Sequence, residues 1–190
     1  DYEFSDHRLI RGVFRPADDL LGRNMRLEGR FLFLRSYRGG RVTGVLEGTR
    51  DGPGGPQRVF GWTYQTLDGH LEQGKLTYEV TKDLTTGVVC FGIDAYSRRA
   101  PIGNPLLRTG FRVFGRRTQL DFYQRVGRRM HDLLATHEPG TPLPHPATLM
   151  GDVVIAPSES RMRAWDPIAL PLRHPGVHVS RLARVRKGHK

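Results

Sequence analysis

Alternating apolar and polar positions dominate the middle of the chain and predict β-strands there. From 71 to 83, apolar side chains at 76, 78 and 80 alternate with polar ones at 75, 77 and 79, which is the two-residue period of a strand with one covered face. Strand-forming residues also dominate the stretches RLEGRFLFLRSY, GGRVTGVLEGT, QRVFGWTYQT and TTGVVCFGIDAYS, with a turn expected at Gly39-Gly40. Short turns between successive strands predict an antiparallel meander.

A long helix is predicted after these strands, because apolar positions recur there at three- and four-residue steps. The stripe comprises Leu107, Phe111, Phe114, Thr118, Phe122, Val126, Met130 and Leu133. Such a stripe would cover one face of the sheet. We therefore expect an α+β fold, an antiparallel β meander wrapped around a long C-terminal helix, similar to the helix-grip layout of START and polyketide-cyclase-like proteins.

The domain expected from this pattern spans 1–137, and a Pro-rich, basic extension follows over 138–190. Near the beginning, RPADDLLGRNM predicts a short helix, with Pro16 at an early position and two aspartates near its positive end. Within the extension, DVVIAP predicts a short strand.

The charge balance favours acidic partners. Thirty lysines and arginines against 19 acidic residues give a net charge of +11, which suits anionic lipid, phosphorylated ligands or nucleic acid. We do not expect nucleic acid as the partner, since no recognised binding module accompanies the charge. One cysteine, no apolar run of membrane-spanning length and no leader pattern predict a cytoplasmic protein. We expect neither a metal nor a cofactor, since no HExxH, GxGxxG or Walker pattern occurs.

Two places carry candidate acid–base chemistry. His70 and Glu72 flank a polar turn after Asp68-Gly69, and they could be metal ligands, an acid–base pair or residues that only order the turn. Asp94 and Tyr96 end a predicted strand, on the face opposite Phe91. A carboxylate among apolar neighbours could act as a general acid or base, and the alternative is an edge residue paired with Arg98.

Aromatic residues on the predicted strands could form the walls of a ligand pocket. Trp62, Tyr64, Tyr78 and Tyr96 are suited to an organic ligand, although aromatic core packing is the simpler explanation. The arginines on the polar side of the predicted helix could bind phosphates, or they could form a solvated face.

The stretch GWTYQTLDGHLEQGKLTYEV, followed by AYSRRA and RRTQLDFYQRV, resembles the DUF1990 (UPF0548) family over residues 20–134. Residues at matching positions are Tyr64, Thr66, Leu67, Gly69, His70, Glu72, Gly74, Ser97, Arg98, Gln119 and Tyr123. Lys75, Leu76 and Arg99 depart from the family pattern. The resemblance implies that members of the family share a requirement for these residues, but it does not imply a reaction. It adds Thr66, Ser97, Arg98, Gln119 and Tyr123 to the expected ligand-binding set.

Two functions remain open at this stage. The first is a hydrophobic or aromatic small molecule bound in a cavity, with cyclase, isomerase or dehydratase chemistry at His70, Glu72, Asp94 and Tyr96. The second is a non-catalytic module that binds lipid or an anionic membrane through the arginine-rich helix.

Overall fold

A computed structural model describes residues 2–31, 34–67, 72–99, 105–138 and 140–160. Within these ranges, the side chains of 31, 34–36, 72, 99, 105–116 and 118 are not described. The elements are β1 (Ile10–Phe14), β2 (Asn24–Phe31), β3 (Leu34–Gly52), β4 (Gly55–Thr66), β5 (Glu72–Asp83), β6 (Val89–Arg99), α1 (Pro105–Thr136), β7 (Ala147–Met150) and β8 (Val153–Ala156).

The strands form one eight-stranded sheet in the order β6-β5-β4-β3-β2-β1-β8-β7. Each neighbouring pair runs antiparallel, so the predicted meander is present from β1 to β6 and α1 follows it. The α+β class is therefore confirmed. The predicted boundary at residue 137 needs correction, because β8 pairs with β1. Residues 147–156 thus belong to the same sheet as the meander.

Two sequence predictions near the N-terminus are wrong. Gly39 and Gly40 do not form a turn but lie inside β3, where a β-carbon at Gly40 would come 3.3 Å from Cδ2 of Tyr64. These glycines therefore serve close packing rather than reversal of the chain. Residues 15–23 form turns instead of a helix. The guanidinium of Arg23 donates hydrogen bonds to the backbone carbonyl oxygens of Pro16 and Asp18 within these turns.

Side chains on one face of the sheet, which we call the inner face, form the main hydrophobic core. Buried members from the strands are Phe14, Met25, Leu27, Val42, Tyr64, Tyr78 and Ala156. The opposite, outer face carries a smaller cluster around Val13, Val153 and Ile155. Alternation along β1 and β8 sends consecutive residues to the two clusters, as the pleat of a strand requires.

The helix and the N-terminal segment complete the inner core. Phe122 and Val126 of α1 are buried there together with Tyr2 and Phe4, so the middle of the predicted apolar stripe is confirmed. Arg125 joins the two parts through its Nη1, 3.1 Å from Oδ2 of Asp6. In the described part of the chain, no helix is long and apolar enough to cross a membrane.

Candidate functional site

An aromatic ladder crosses β4, β5 and β6 on the inner face. Trp62 and Tyr78 are direct cross-strand partners, and their ring centroids lie 5.4 Å apart. Tyr64 lies 6.1 Å from Tyr78, while Phe91 stacks on Tyr78 at 6.3 Å with the ring planes 12° apart. Tyr78 has no exposed surface and is the centre of the ladder.

The N-terminal segment packs directly onto this ladder. Phe4 lies 4.6 Å from Tyr78 between ring centroids, and Tyr2 meets Tyr78 edge to face at 6.4 Å. Both residues are buried. Sequence reasoning missed them, because residues 1–9 carry no strand or helix period that would indicate a core segment.

The phenol groups of Tyr2, Tyr64 and Tyr78 lie close together in the core, and we call the space around them the tyrosine interior. The hydroxyl oxygens of Tyr2 and Tyr78 are buried and make no hydrogen bond of ordinary geometry with the described residues, although the two hydroxyls and that of Tyr64 are close enough to influence one another. Burial raises the pKa of Tyr2 to about 12, although the neighbouring tyrosine hydroxyls act in the opposite direction. Burial, followed by the influence of the neighbouring phenols, raises the pKa of Tyr64 and of Tyr78 well above the ordinary value. The three groups are therefore neutral donors at physiological pH and cannot serve as bases.

The helix closes the cluster on a further side. The ring of Tyr123 lies 5.8 Å from that of Phe122, and the proximity of Tyr123 contributes to the raised pKa of Tyr64. Gln119, one turn earlier, is half-buried. Four of the predicted ligand-binding residues, Trp62, Tyr64, Tyr78 and Tyr123, are thus brought together around one core.

Arg38 adds a charged group to the inner face. It lies opposite Leu27 of the core and two residues along β3 from Gly40, against which Tyr64 packs. Its Nε is buried without a hydrogen-bond partner, and burial lowers the pKa of its guanidinium. Sequence reasoning did not single it out, since its neighbours in RSYRGGR make it look like one of many basic surface residues.

The predicted pair His70 and Glu72 can be placed only in part. His70 lies outside the described residues, and Glu72 begins β5 opposite Arg99 with its side chain not described. A hydrogen bond joins the end of β4 to the beginning of β5: the hydroxyl of Thr66 accepts from the backbone N–H of Gly74 at 2.9 Å. Thr66 therefore has a structural role at this hairpin, and the acid–base pair stays a prediction.

Asp94 and Tyr96 do not line the tyrosine interior, which corrects the sequence interpretation. Tyr78 is paired with Ile93, whereas Asp94 is paired with Thr77 on the outer face. Asp94 is exposed, and Tyr96 is 73% exposed. The predicted alternation along β6 is present, but the face that packs on the core is the one with Phe91 and Ile93.

Ser97 and Arg98 are also exposed on β6, away from the buried rings. Asp94 and Arg98, both described, form no ion pair; four residues along an extended strand separate them by roughly 13 Å. The described residues likewise include no group of three His, Cys, Asp or Glu side chains that could hold a metal ion.

Two partly exposed arginines of the helix make contacts within the fold. Arg125 contacts Asp6 and Asp121, and Arg129 donates to the Glu3 carbonyl at 3.0 Å and lies 2.8 Å from Glu159. Arg117 and Arg128 are exposed. In the C-terminal half of the helix, Arg125 and Arg129 are therefore already paired with acidic residues of the protein, which leaves fewer arginines there for an anionic partner.

The comparisons with known proteins give one match. A family model described as "Domain of unknown function (DUF1990)" matches residues 1–129, so its match includes the N-terminal segment, the meander and most of the helix. No curated protein and no solved structure matches the chain.

Proposed function

The chain belongs to the DUF1990 family, and from that premise we propose that it binds a small hydrophobic or aromatic molecule between the sheet and the helix. The observation that carries this proposal is the pair of buried hydroxyls on Tyr2 and Tyr78, which make no hydrogen bond of ordinary geometry within the described part of the chain. A buried polar group without a partner costs about 1–3 kcal/mol, and native interiors contain few of them. An oxygen acceptor on a ligand would satisfy both groups.

The surroundings of these hydroxyls favour an organic ligand over an ion. Trp62, Phe4 and Phe91 lie around Tyr78 at ring distances of 4.6 to 6.3 Å, which is the mixture of apolar wall and few polar groups that ligand sites use. Since the phenols stay protonated, they would donate hydrogen bonds to a carbonyl or similar oxygen. The ligand predicted by this chemistry has an aromatic or aliphatic body and an acceptor oxygen.

We further propose the helix-grip layout of START-like proteins for the sheet and α1. The burial of Phe122 and Val126 in the cluster that contains Tyr2 and Tyr78 supports it, because these two helix residues pack against side chains of the inner face. Fold alone does not assign a function, and the proposed ligand rests on the tyrosines instead.

If the protein is an enzyme, the proposed chemistry is a cofactor-independent cyclisation, isomerisation or dehydration. The neutral phenols would stabilise negative charge developing on a ligand oxygen, as preorganised donors do in a dry site. His70 and Glu72 remain the proposed proton-transfer pair, while Asp94 and Tyr96 leave that set because they are on the outer face. Binding without chemistry uses the same interior.

Membrane binding through the helix is the weaker alternative. Arg125 and Arg129 make ion pairs within the fold, which leaves Arg117 and Arg128 as the exposed cations among the described helix side chains. Flotation with anionic vesicles tests this alternative: salt-sensitive binding that Arg117→Gln and Arg128→Gln abolish would favour it.

Native mass spectrometry of protein purified from its host tests the ligand proposal. We expect a retained molecule in the wild type and its loss in the Tyr2→Phe, Tyr78→Phe double variant. Tyr37→Phe is the matched control, because the Tyr37 hydroxyl is bonded to Glu28 at 3.4 Å on the outer face. Equal retention by the double variant and the wild type would refute a role for the interior hydroxyls.

A further inference from the structure

Arg38 is a half-buried cation on the inner face, and none of the described residues gives it a counter-charge. Its Nε is buried and unbonded, and burial is the cause that lowers the pKa of the guanidinium, with no carboxylate acting against it. A guanidinium has five donors in a planar fork, and it is most stable where a planar oxyanion meets that fork. The position is therefore set up for an anion.

Other interior arginines of this protein have their acceptors within the fold. Arg11, more deeply buried than Arg38, is paired with Glu28. Arg23 donates to the carbonyl oxygens of Pro16 and Asp18 at 3.1 Å, and Arg129 to the carbonyl of Glu3. In these three cases the fold itself supplies the partner of the guanidinium.

The position of Arg38 relative to the tyrosines suggests what the anion belongs to. Direct cross-strand partners share a face, so Arg38 points to the same side as Leu27 of the core. Gly40, two residues along β3, lies under the ring of Tyr64. A ligand whose apolar body lies among the rings could therefore extend its polar end to Arg38.

We propose that Arg38 binds the carboxylate of a ligand whose apolar part occupies the tyrosine interior, so that the ligand class is an amphipathic carboxylic acid. This inference rests on the proposed binding function. A carboxylate fits better than a phosphate monoester because one guanidinium balances one negative charge. The described inner-face neighbours of Arg38, namely Leu27, Gly40, Val42 and Thr66, add no second cation.

The test is a calorimetric titration with three matched series of probes. The first series comprises linear and aryl carboxylic acids of graded length, the second their methyl esters, and the third the corresponding phosphate monoesters. We expect the wild type to bind an acid at least about tenfold more tightly than its ester. Tighter binding of the phosphates than of the acids would overturn the carboxylate assignment.

Variants separate the role of Arg38 from the role of the interior. Arg38→Met should lower the affinity for the acid to that of the ester while leaving the ester affinity unchanged, and Arg38→Lys should restore part of the loss. Arg41→Met is the matched control, since Arg41 lies on the same strand but on the outer face, bonded to Asn24 at 2.9 Å. Unchanged acid affinity in Arg38→Met would overturn the inference.

The outcomes also distinguish the two proposals. Equal binding of acids and esters that depends on Tyr2 and Tyr78 would keep the binding function and reject the carboxylate. Failure of all three series to bind the wild type would reject both. Thermal unfolding of Arg38→Met gives a readout without ligand: removal of a half-buried charge that the described residues leave unbalanced should raise the melting temperature, and a lower one would contradict the absence of an internal partner.

Discussion

Arg11 and Glu28 lie directly opposite each other on β1 and β2 and form an ion pair whose side chains are 1% and 0% exposed. Val13, two residues along β1, shares the outer face with them. A slip of one residue in this pairing would move the arginine to the inner face. The pair therefore fixes the register of β1. Because the N-terminal segment leads directly into β1, the pair also fixes where that segment packs on the tyrosine interior.

Removing one member of this pair should strongly destabilise the protein. Glu28→Gln leaves the Arg11 guanidinium buried without its counter-charge, and we expect a loss of about 3–5 kcal/mol in the free energy of unfolding. Urea denaturation followed by circular dichroism measures it. The double variant Arg11→Met, Glu28→Leu should be more stable than Glu28→Gln, because it removes the buried charges together; a double variant that is less stable would contradict this account.

Tyr78→Phe should stabilise the ligand-free protein. The substitution removes a buried hydroxyl that has no partner and keeps the ring that packs on Phe4 and Trp62, so we expect a gain of about 0.5–1.5 kcal/mol. Tyr37→Phe should have the opposite sign, since it deletes a bonded hydroxyl. Chemical denaturation of the two variants side by side decides the matter, and destabilisation by Tyr78→Phe would mean that its hydroxyl is satisfied in the fold.

The strands that could be predicted are those whose alternation is long and regular. β4 and β5 each extend over twelve residues, which is long enough for the two-residue period to be recognised. β1 and β7 contain only five and four residues, too few to show a period, and they are strands because β2 and β8 supply their hydrogen-bond partners. The Gly39-Gly40 error has the same origin, since only the packing of Tyr64 reveals why glycine is needed there.

Part of the candidate site followed from the same alternation. Trp62, Tyr64 and Tyr78 could be assigned to one wall because side chains at paired positions of neighbouring strands point to the same face, and every second residue along each strand returns to that face. Asp94 could not be assigned correctly, because β6 carries apolar residues on both faces, and the exposed Val89 looks like a core residue in the sequence. Nothing local marks Arg38 as inward-facing, since the pairing with Leu27 that decides it is a long-range contact.

Two glycines should respond oppositely to alanine. At Gly74 a β-carbon would fall on the carbonyl oxygen of Tyr96 in the neighbouring strand, so Gly74→Ala must displace backbone and should lower stability by roughly 2 kcal/mol or more. At Gly127 nothing lies within 4 Å of the added carbon, and Gly127→Ala should raise stability by up to about 1 kcal/mol through helix propensity. Thermal melts of both variants test the pair, and a stabilising Gly74→Ala would contradict the pairing of β5 with β6.

Acid should weaken the contact between the N-terminal segment and the helix. Burial raises the pKa of Asp6, but the Arg8 backbone N–H and the Arg125 guanidinium outweigh it, so the pKa lies below its ordinary value. A depressed pKa means that this stabilisation is present above about pH 4 and is lost as the pH falls through the folded-state pKa. Asp6→Asn should therefore flatten the decline of stability at acid pH, and Asp51→Asn, at an exposed position near the end of β3, is the control that leaves this contact intact.

Alkaline titration should distinguish three buried tyrosines among the six of the chain. Burial raises the pKa of Tyr2 to about 12, and it raises those of Tyr64 and Tyr78 well above the ordinary value. Groups with a raised folded-state pKa contribute stability that is complete below the unfolded pKa of about 10 and is lost as the pH rises through the folded value. We therefore expect three phenols to resist ionisation at about pH 11 while the chain stays folded, and Tyr2→Phe with Tyr78→Phe to reduce the alkaline loss of stability.

Ultraviolet absorbance of phenolate, recorded with circular dichroism and compared with the protein in guanidinium, measures both effects. Appearance of all six phenolates with the circular dichroism still native would show that water reaches the interior, and it would remove the basis for neutral donors at the ligand site.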